Sequence, residues 1–134
     1  LKEALRLLHA EGMDKVFSRH ARLAEATRLA VETWGLENLC VVPEEYSNSL
    51  TAVIMPDGHD ADVLRKIILD RFDMSLGTGL GKIKGKVFRI GHLGDFNELM
   101  LAGTLSGVEM GLGIAGIPHN KGGVSAALEF LAQE

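Results

Sequence analysis

One arginine in this sequence stands where its side chain could bind an acid substrate. In the run 87–91 large apolar residues alternate with others, so an extended strand would bury two of them and turn Arg89 to the opposite face. A guanidinium stays charged, and its planar fork pairs with a carboxylate through two parallel hydrogen bonds. The pattern fits an anchor for a substrate carboxylate, and equally well a structural ion pair with Asp95 or Glu98.

A glycine-rich segment, residues 77–85, precedes this strand. It departs from phosphate-binding motifs, because Leu76 stands where a Walker-type loop has its first glycine and Ile83 where that loop has serine or threonine. Glycines permit backbone angles that other residues avoid. We therefore expect a flexible hinge or lid that borders a site, and we expect no cofactor-binding residue here.

Three potential metal ligands follow the strand at intervals of three residues: His92, Asp95 and Glu98. Asp95 and Glu98 also have the spacing of a helix start with Asp95 as N-cap, and no second ligand group occurs, so we expect no metal site. Cys40, the only cysteine, lies in an apolar run and is predicted to be a small core residue. Without a nucleophile motif or a cysteine–histidine pair, the chain lacks a self-contained catalytic set.

The composition is that of one globular domain. The chain has 134 residues, of which 46% are hydrophobic and 24% charged, and its net charge is −4 with acids and bases mixed. That charge gives no reason to expect nucleic acid or an anionic membrane as a partner. No uncharged stretch reaches the roughly 20 apolar residues of a membrane span, so we predict a soluble, cytoplasmic protein.

The spacing of apolar residues predicts elements in the order α-α-β-β-α-β-β-α-α. A small, mainly antiparallel sheet with helices packed on one face, an α/β (α+β) fold, accounts for this order. The clearest element is a long amphipathic helix over residues 13–34 that Gly35 ends. The predicted helices are 1–11, 13–34, 60–72, 95–111 and 124–133, and the predicted strands are 39–42, 49–55, 74–76 and 86–91.

The faces of the long helix carry further expectations. His20 lies on its apolar side and is predicted to be packed and hydrogen-bonded, and Met13 and Phe17 widen that side. The arginines of the helix, Arg19, Arg22 and Arg28, fall on the opposite side. The chain opens at Leu1 as if within a helix, without a capping residue, so we expect it to continue a longer protein on its N-terminal side.

Several segments together resemble the C-terminal portion of class V pyridoxal-phosphate aminotransferases, which have fold type I. Within that family the likeness is greatest to members that transfer an amino group from serine to glyoxylate. It extends over essentially the whole chain, and its most specific part is the arginine-bearing segment 85–99. The segments are residues 11–13, 19–24, 34–36, 79–81, 85–95, 97–99 and 107–112.

The resemblance implies that residues 1–134 are the C-terminal small domain of a homodimeric enzyme, with residues 1–34 as a helical connection from a large N-terminal domain. The large domain would bind pyridoxal 5'-phosphate and carry the Schiff-base lysine, since no lysine here lies in the family's lysine motif. Arg89 stands at the position of the arginine that binds the substrate α-carboxylate. The substrates would be an amino acid and a 2-oxo acid, and the chain alone should be inactive.

Two alternatives remain beside this interpretation. One is a sibling aminotransferase that takes alanine or another donor, because donor choice depends largely on the large domain. The other is a free-standing domain that binds a small molecule or has a regulatory role. The second alternative needs a natural N-terminus, which the mid-helix start at Leu1 does not favour.

Overall fold

A computed structural model describes residues 1–133. Its helices and strands follow the predicted order, and two short 3-10 turns lie in the connections, at Pro43–Glu45 and Gly81–Ile83. The elements are α1 (Lys2–Glu11), α2 (Met13–Thr33), β1 (Glu37–Asn38), β2 (Leu50–Ile54), α3 (Ala61–Phe72), β3 (Gly77–Thr78), β4 (Val87–Gly91), α4 (Glu98–Ile114) and α5 (Gly123–Leu131).

The strands form one antiparallel sheet in the order β1-β2-β4-β3. Across the central pair, Thr51 lies opposite Ile90 and Val53 opposite Phe88, and all four side chains are buried. Val53, Phe88 and Ile90 join one hydrophobic core with residues of the helices, among them Leu23 of α2. The predicted small antiparallel sheet with helices on one face is confirmed.

Helix α2 ends as its sequence predicts. Gly35 has φ 74°, a conformation that suits glycine, and its N–H donates to the carbonyl of Glu32. The N–H of Leu36 donates to the carbonyl of Val31, which completes the Schellman pattern of a glycine-terminated helix. Trp34 is thereby turned into the core, where 1% of it is exposed.

Some apolar residues predicted to face inward are exposed. No residue of α1 is buried, Leu5 is 45% exposed, and Phe17 at the start of α2 is 62% exposed. Met13 is exposed as well. The helical period identifies the apolar side of a helix but not the element that covers it. Within residues 1–133 nothing covers this side fully, and no helix there has both the length and the apolar character needed to cross a bilayer.

Two predicted strands are misplaced. Residues 39–42 lie outside the sheet: β1 is Glu37–Asn38, Leu39 adds one hydrogen bond to Ala52, and the chain then turns away toward Pro43. Cys40 in this segment is half-buried and not part of the core. Residues 74–76 are not a strand either, because the pairing partner β4 selects the next two residues, Gly77–Thr78. Backbone pairing outweighs the local preference of an apolar run.

Two helix starts test the predicted caps. Asp60 caps α3 as predicted, since its Oδ1 accepts the N–H of Asp62 at 2.7 Å. Helix α4 begins later than predicted: its cap is Asn97, whose Oδ1 accepts the N–H of Met100 at 2.9 Å, and Asp95 lies in the preceding loop. It also continues past Gly111 to Ile114, because Gly111 serves as a close contact with α3 and not as a stop.

Candidate functional site

Arg89 lies in the middle of β4 on the face of the sheet opposite the core. The residues before and after it, Phe88 and Ile90, are fully buried, whereas Arg89 is half-buried, which confirms the predicted strand and its alternation. Its cross-strand neighbours are Ala52 on β2 and Gly77 on β3. Both direct neighbours are small, so neither side chain blocks the arginine side chain across the sheet.

Gly77 leaves the space in which the guanidinium of Arg89 lies. A Cβ at position 77 would stand 3.0 Å from both Cβ and Nε of Arg89 and 3.5 Å from Cζ. The arginine side chain therefore passes directly over the backbone of β3. The glycine-rich segment does border Arg89, and it does so by leaving room for this side chain.

The side chain of Arg89 forms no hydrogen bond or ion pair with the part of the chain that the structure describes, and its Nε is buried without a partner. The structural ion pair with Asp95 or Glu98 is thus not formed within residues 1–133. The negative charges of those two carboxylates instead help to raise the pKa of Arg19. A buried donor without a partner is costly, so an incoming carboxylate would satisfy an existing deficit.

The loop between β3 and β4 is fastened at both ends. The N–H of Gly79 donates to Val87 at 3.0 Å, and the carbonyl of Gly85 accepts the N–H of Ala61 at 2.7 Å. Thr78 Oγ1 donates to Asp62 at 3.0 Å, and this bond, with one from Arg65, lowers the pKa of the Asp62 carboxyl. The segment predicted as a hinge or lid is therefore held by hydrogen bonds at both of its ends beside Arg89.

The loop that follows β4 is held by Arg19 of α2. Its Nη1 donates to the carbonyl of Gly94 at 2.8 Å and to that of Phe96 at 2.9 Å. Its Nε and Nη2 each donate to a carboxylate oxygen of Glu11 at 2.8 Å. The helical spacing places Arg19 opposite the apolar side but does not predict these bonds, because a long side chain can reach around its helix to distant partners.

His20, the next residue, also binds this loop. Its Nε2 accepts the N–H of Gly94 at 3.1 Å, and its Nδ1 lies 2.7 Å from the carbonyl of Val16. Because a carbonyl only accepts, Nδ1 carries the proton and donates it. The prediction of a packed, hydrogen-bonded histidine is confirmed.

His92 is fully buried where β4 ends. Its Nδ1 donates to the carbonyl of Asn48 at 3.2 Å, and its Nε2 lies 2.9 Å from Thr51 Oγ1, which donates to it. Burial lowers the pKa of His92 to about 4, against the opposing effect of the Asn48 carbonyl. Both ring nitrogens are therefore occupied within the fold. In residues 1–133 no three His, Cys, Asp or Glu side chains converge as metal ligands.

The residues present do not fit a site for pyridoxal phosphate. A Schiff-base lysine must lie beside the cofactor in a pocket that excludes bulk water, and all seven lysines of the chain are exposed. A cavity of about 270 Å³ near the sheet edge is mainly apolar and contains no lysine. It includes Ala52, the neighbour of Arg89, and Arg28, whose guanidinium stacks 4.8 Å from the Tyr46 ring centroid; the sequence did not indicate this pair.

Most of the relatives that sequence comparison finds are named as aminotransferases or transaminases. No protein-family model matches the chain. The serine–glyoxylate aminotransferase of Arabidopsis thaliana is 51% identical over 133 residues, which are 98% of this chain and 33% of that protein. The L-aspartate–glyoxylate aminotransferase of Paracoccus denitrificans is 45% identical over 125 residues, which are 92% of this chain and 32% of that protein.

Solved structures agree with these relatives. The ureidoglycine–glyoxylate aminotransferase of Bacillus subtilis superposes with a TM-score of 0.89 at 25% identity over 96% of this chain and 33% of its own. The pyridoxamine–pyruvate aminotransferase of Mesorhizobium loti gives a TM-score of 0.88 at 32% identity over 95% of this chain and 33% of its own. The chain spans about a third of the length of the relatives it matches. It is homologous to the C-terminal third of serine–glyoxylate aminotransferases and related class V aminotransferases, and it has the fold of that third.

Proposed function

We propose that this chain is the C-terminal domain of a serine–glyoxylate aminotransferase and that Arg89 binds the α-carboxylate of the substrate. The observation that carries the proposal is the guanidinium of Arg89, without a partner among residues 1–133, on the open face of the sheet between Ala52 and Gly77. The names of three relatives that match along nearly the whole chain support serine and glyoxylate as substrates.

One arginine on a rigid strand suits both halves of this reaction. Serine and glyoxylate each carry a carboxylate beside the carbon that gains or loses nitrogen. A fixed guanidinium fork that binds this group through two hydrogen bonds would hold the donor and the acceptor in the same orientation. Pyridoxal phosphate would supply the electron sink, and the part of the protein outside this chain would bind it, since the lysines here are exposed.

The domain arrangement is part of the proposal. Residues 1–134 form the small domain, and residues 1–34 lead into it from a large domain that precedes them. The exposed apolar side of α1 and of the start of α2, which includes Leu5 and Phe17, supports a contact with that domain. The complete enzyme is a homodimer, and this chain alone does not catalyse transamination.

A glyoxylate aminotransferase with another amino donor is the second candidate. The 45% identical relative named for L-aspartate supports it, because its matched segment is the same third of the protein. Donor choice would then depend on residues outside this chain.

The test is transamination by the longer protein that contains this chain, with glyoxylate as acceptor and serine, alanine or aspartate as donor. A highest kcat/KM with serine supports the proposal. A clear preference for alanine or aspartate selects the second candidate, and no transamination with any donor contradicts both.

A further inference from the structure

We infer that Arg19 is a positioning residue for Arg89, because it joins the end of α1 to the loop after β4 and so couples the direction of α1 to the strand that carries Arg89. The inference rests on the proposed role of Arg89 in binding the substrate. It assigns Arg19 no contact with the substrate.

The guanidinium of Arg19 uses its donors on two separate segments. One edge, Nε and Nη2, forms a two-bond pair with Glu11, the last residue of α1. The remaining nitrogen, Nη1, binds the carbonyls of Gly94 and Phe96, which lie 75 and 77 positions away in the sequence. The Arg19 and Glu11 side chains are 21% and 33% exposed, so their ion pair is partly shielded from water.

The charges around Arg19 favour the same arrangement. The hydrogen bond with Glu11 raises the pKa of Arg19, and the nearby carboxylates of Asp95 and Glu98 act in the same direction. The bond from Arg19 likewise lowers the pKa of the Glu11 carboxyl. The pair is therefore charged on both sides at neutral pH.

A displacement of Gly94 would reach Arg89 through only a few residues of the chain. Gly94 lies three residues beyond Gly91, where β4 ends, and its φ of 80° places it in the left-handed region. Both of its peptide groups are bound by α2, the carbonyl by Arg19 and the N–H by His20. Between Gly94 and the strand, the N–H of His92 donates to Ser49 at 3.0 Å. The connection has little slack to absorb a displacement.

Packing does not provide a second link of the same kind. A cavity of about 390 Å³ separates α1 from the loop, with Leu7 and Leu8 on one side and Gly94 and Asp95 on the other. The pair of Glu11 and Arg19 stands in its wall. A change in the direction of α1 would thus reach the loop mainly through Arg19.

The first test uses the 134-residue chain, free of ligand, and therefore does not depend on substrate binding. The readouts are the NMR signal of the Arg89 Nε–H group and the exchange rate of the Gly94 amide, with the Leu105 amide in the core as a reporter of global opening. The variants are Arg19→Gln, Arg19→Lys and Glu11→Gln. Arg6→Gln is the matched control, because it removes an exposed ion pair between Arg6 and Glu3 on α1, the helix that ends at Glu11.

Arg19→Gln should shift the Arg89 signal and accelerate Gly94 exchange at least about tenfold, while Leu105 exchange stays at its original rate. Arg19→Lys should change the Arg89 signal and Gly94 exchange less than Arg19→Gln does, since an ammonium keeps the charge but not the planar fork. Arg6→Gln should change neither readout. Faster exchange at Gly94 with an unmoved Arg89 signal, or equal acceleration at Gly94 and Leu105, would overturn the inference.

Glu11→Gln decides the case if Arg19→Gln does not fold, because it keeps both carbonyl bonds and weakens only the link to α1, where one neutral amide oxygen replaces the two carboxylate oxygens. The inference requires it to shift the Arg89 signal, and an unmoved signal contradicts it. In the longer protein, Arg19→Lys should raise KM for serine several-fold with kcat less affected. If Arg89→Ala leaves KM unchanged, the proposed function fails, while the NMR result still decides the coupling.

Discussion

Arg89 and Gly77 face each other across β4 and β3, and the side chain of the arginine covers the backbone of the glycine. A methyl group at position 77 would meet Cβ and Nε of Arg89 at 3.0 Å. Gly77 does not have positive φ, so alanine is compatible with its backbone.

Gly77→Ala should therefore displace the guanidinium without unfolding the chain. We expect a loss of about 1–3 kcal/mol in the free energy of unfolding and a several-fold higher KM for glyoxylate in the longer protein. Gly103→Ala is the control, because Gly103 lies exposed on α4 with no atom near its missing Cβ. An unchanged KM in Gly77→Ala would mean that the position of the guanidinium does not limit binding.

Arg89→Ala should reduce kcat/KM of the longer protein by about 10²-fold or more for both serine and glyoxylate, since ~1.4 kcal/mol is tenfold and a charge-assisted hydrogen bond contributes roughly 1.5–3 kcal/mol. Arg89→Lys should not restore the activity, because the ammonium lacks the fork. Steady-state kinetics measure both effects. An amine donor without an α-carboxylate is the control, and its slow turnover should hardly change. Equal losses with all donors would make Arg89 structural.

Alternation along β4 made the strand and the direction of Arg89 predictable, because Phe88 and Ile90 must share one buried face. The sequence also identified Asp60 as a cap and Gly35 as a helix end, since each acts on backbone groups within a few residues. The contacts around the candidate site, in contrast, join residues that are far apart in the sequence. The bonds from Arg19 to Gly94 join residues 75 positions apart, and no local spacing encodes them.

The wrong predictions have physical causes of the same kind. Asp95 and Asn97 are both good capping residues, and only the path of the loop held by Arg19 decides that Asn97 caps α4. The apolar segment 39–42 leaves the sheet because Pro43 lacks an N–H and the chain must reach the 3-10 turn there.

Glu109 should contribute to stability in a pH-dependent way. Its carboxylate accepts the indole N–H of Trp34 at 2.8 Å and the backbone N–H groups of Gly122 and Val124 at 3.0 and 3.1 Å. Burial raises the pKa of Glu109, but these hydrogen bonds outweigh it and the net pKa is lowered from 4.5. We expect Glu109→Gln to cost about 2 kcal/mol of unfolding free energy at neutral pH.

The difference in unfolding free energy between the unmodified chain and Glu109→Gln should have its full size above pH 4.5, the ordinary pKa of a glutamate carboxyl. It should shrink as the pH falls through the lowered pKa of Glu109. Urea unfolding at neutral and acidic pH measures it. Glu129→Gln, at an exposed position of α5, should leave stability near the original value. A difference that stays constant with pH would show that the charge of Glu109 is not involved.

His92 should make the chain less stable in mild acid. Its pKa in the folded state is lowered from 6.5 to about 4, so the unfolded chain takes up a proton in this range while the folded chain does not. Stability should therefore fall as pH drops from 6.5 toward 4, by up to about 3 kcal/mol. Unfolding free energies at several pH values should show a smaller slope in His92→Gln. His9→Gln, at an exposed position of α1, should keep the original slope.

The edges of the sheet have a consequence for solubility. Its outer strands β1 and β3 have two residues each, whereas the central strands β2 and β4 have five. An intermolecular strand needs a run of free backbone donors and acceptors to add to, and such short edges offer few. Such short outer strands therefore disfavour edge-to-edge aggregation between copies of the chain.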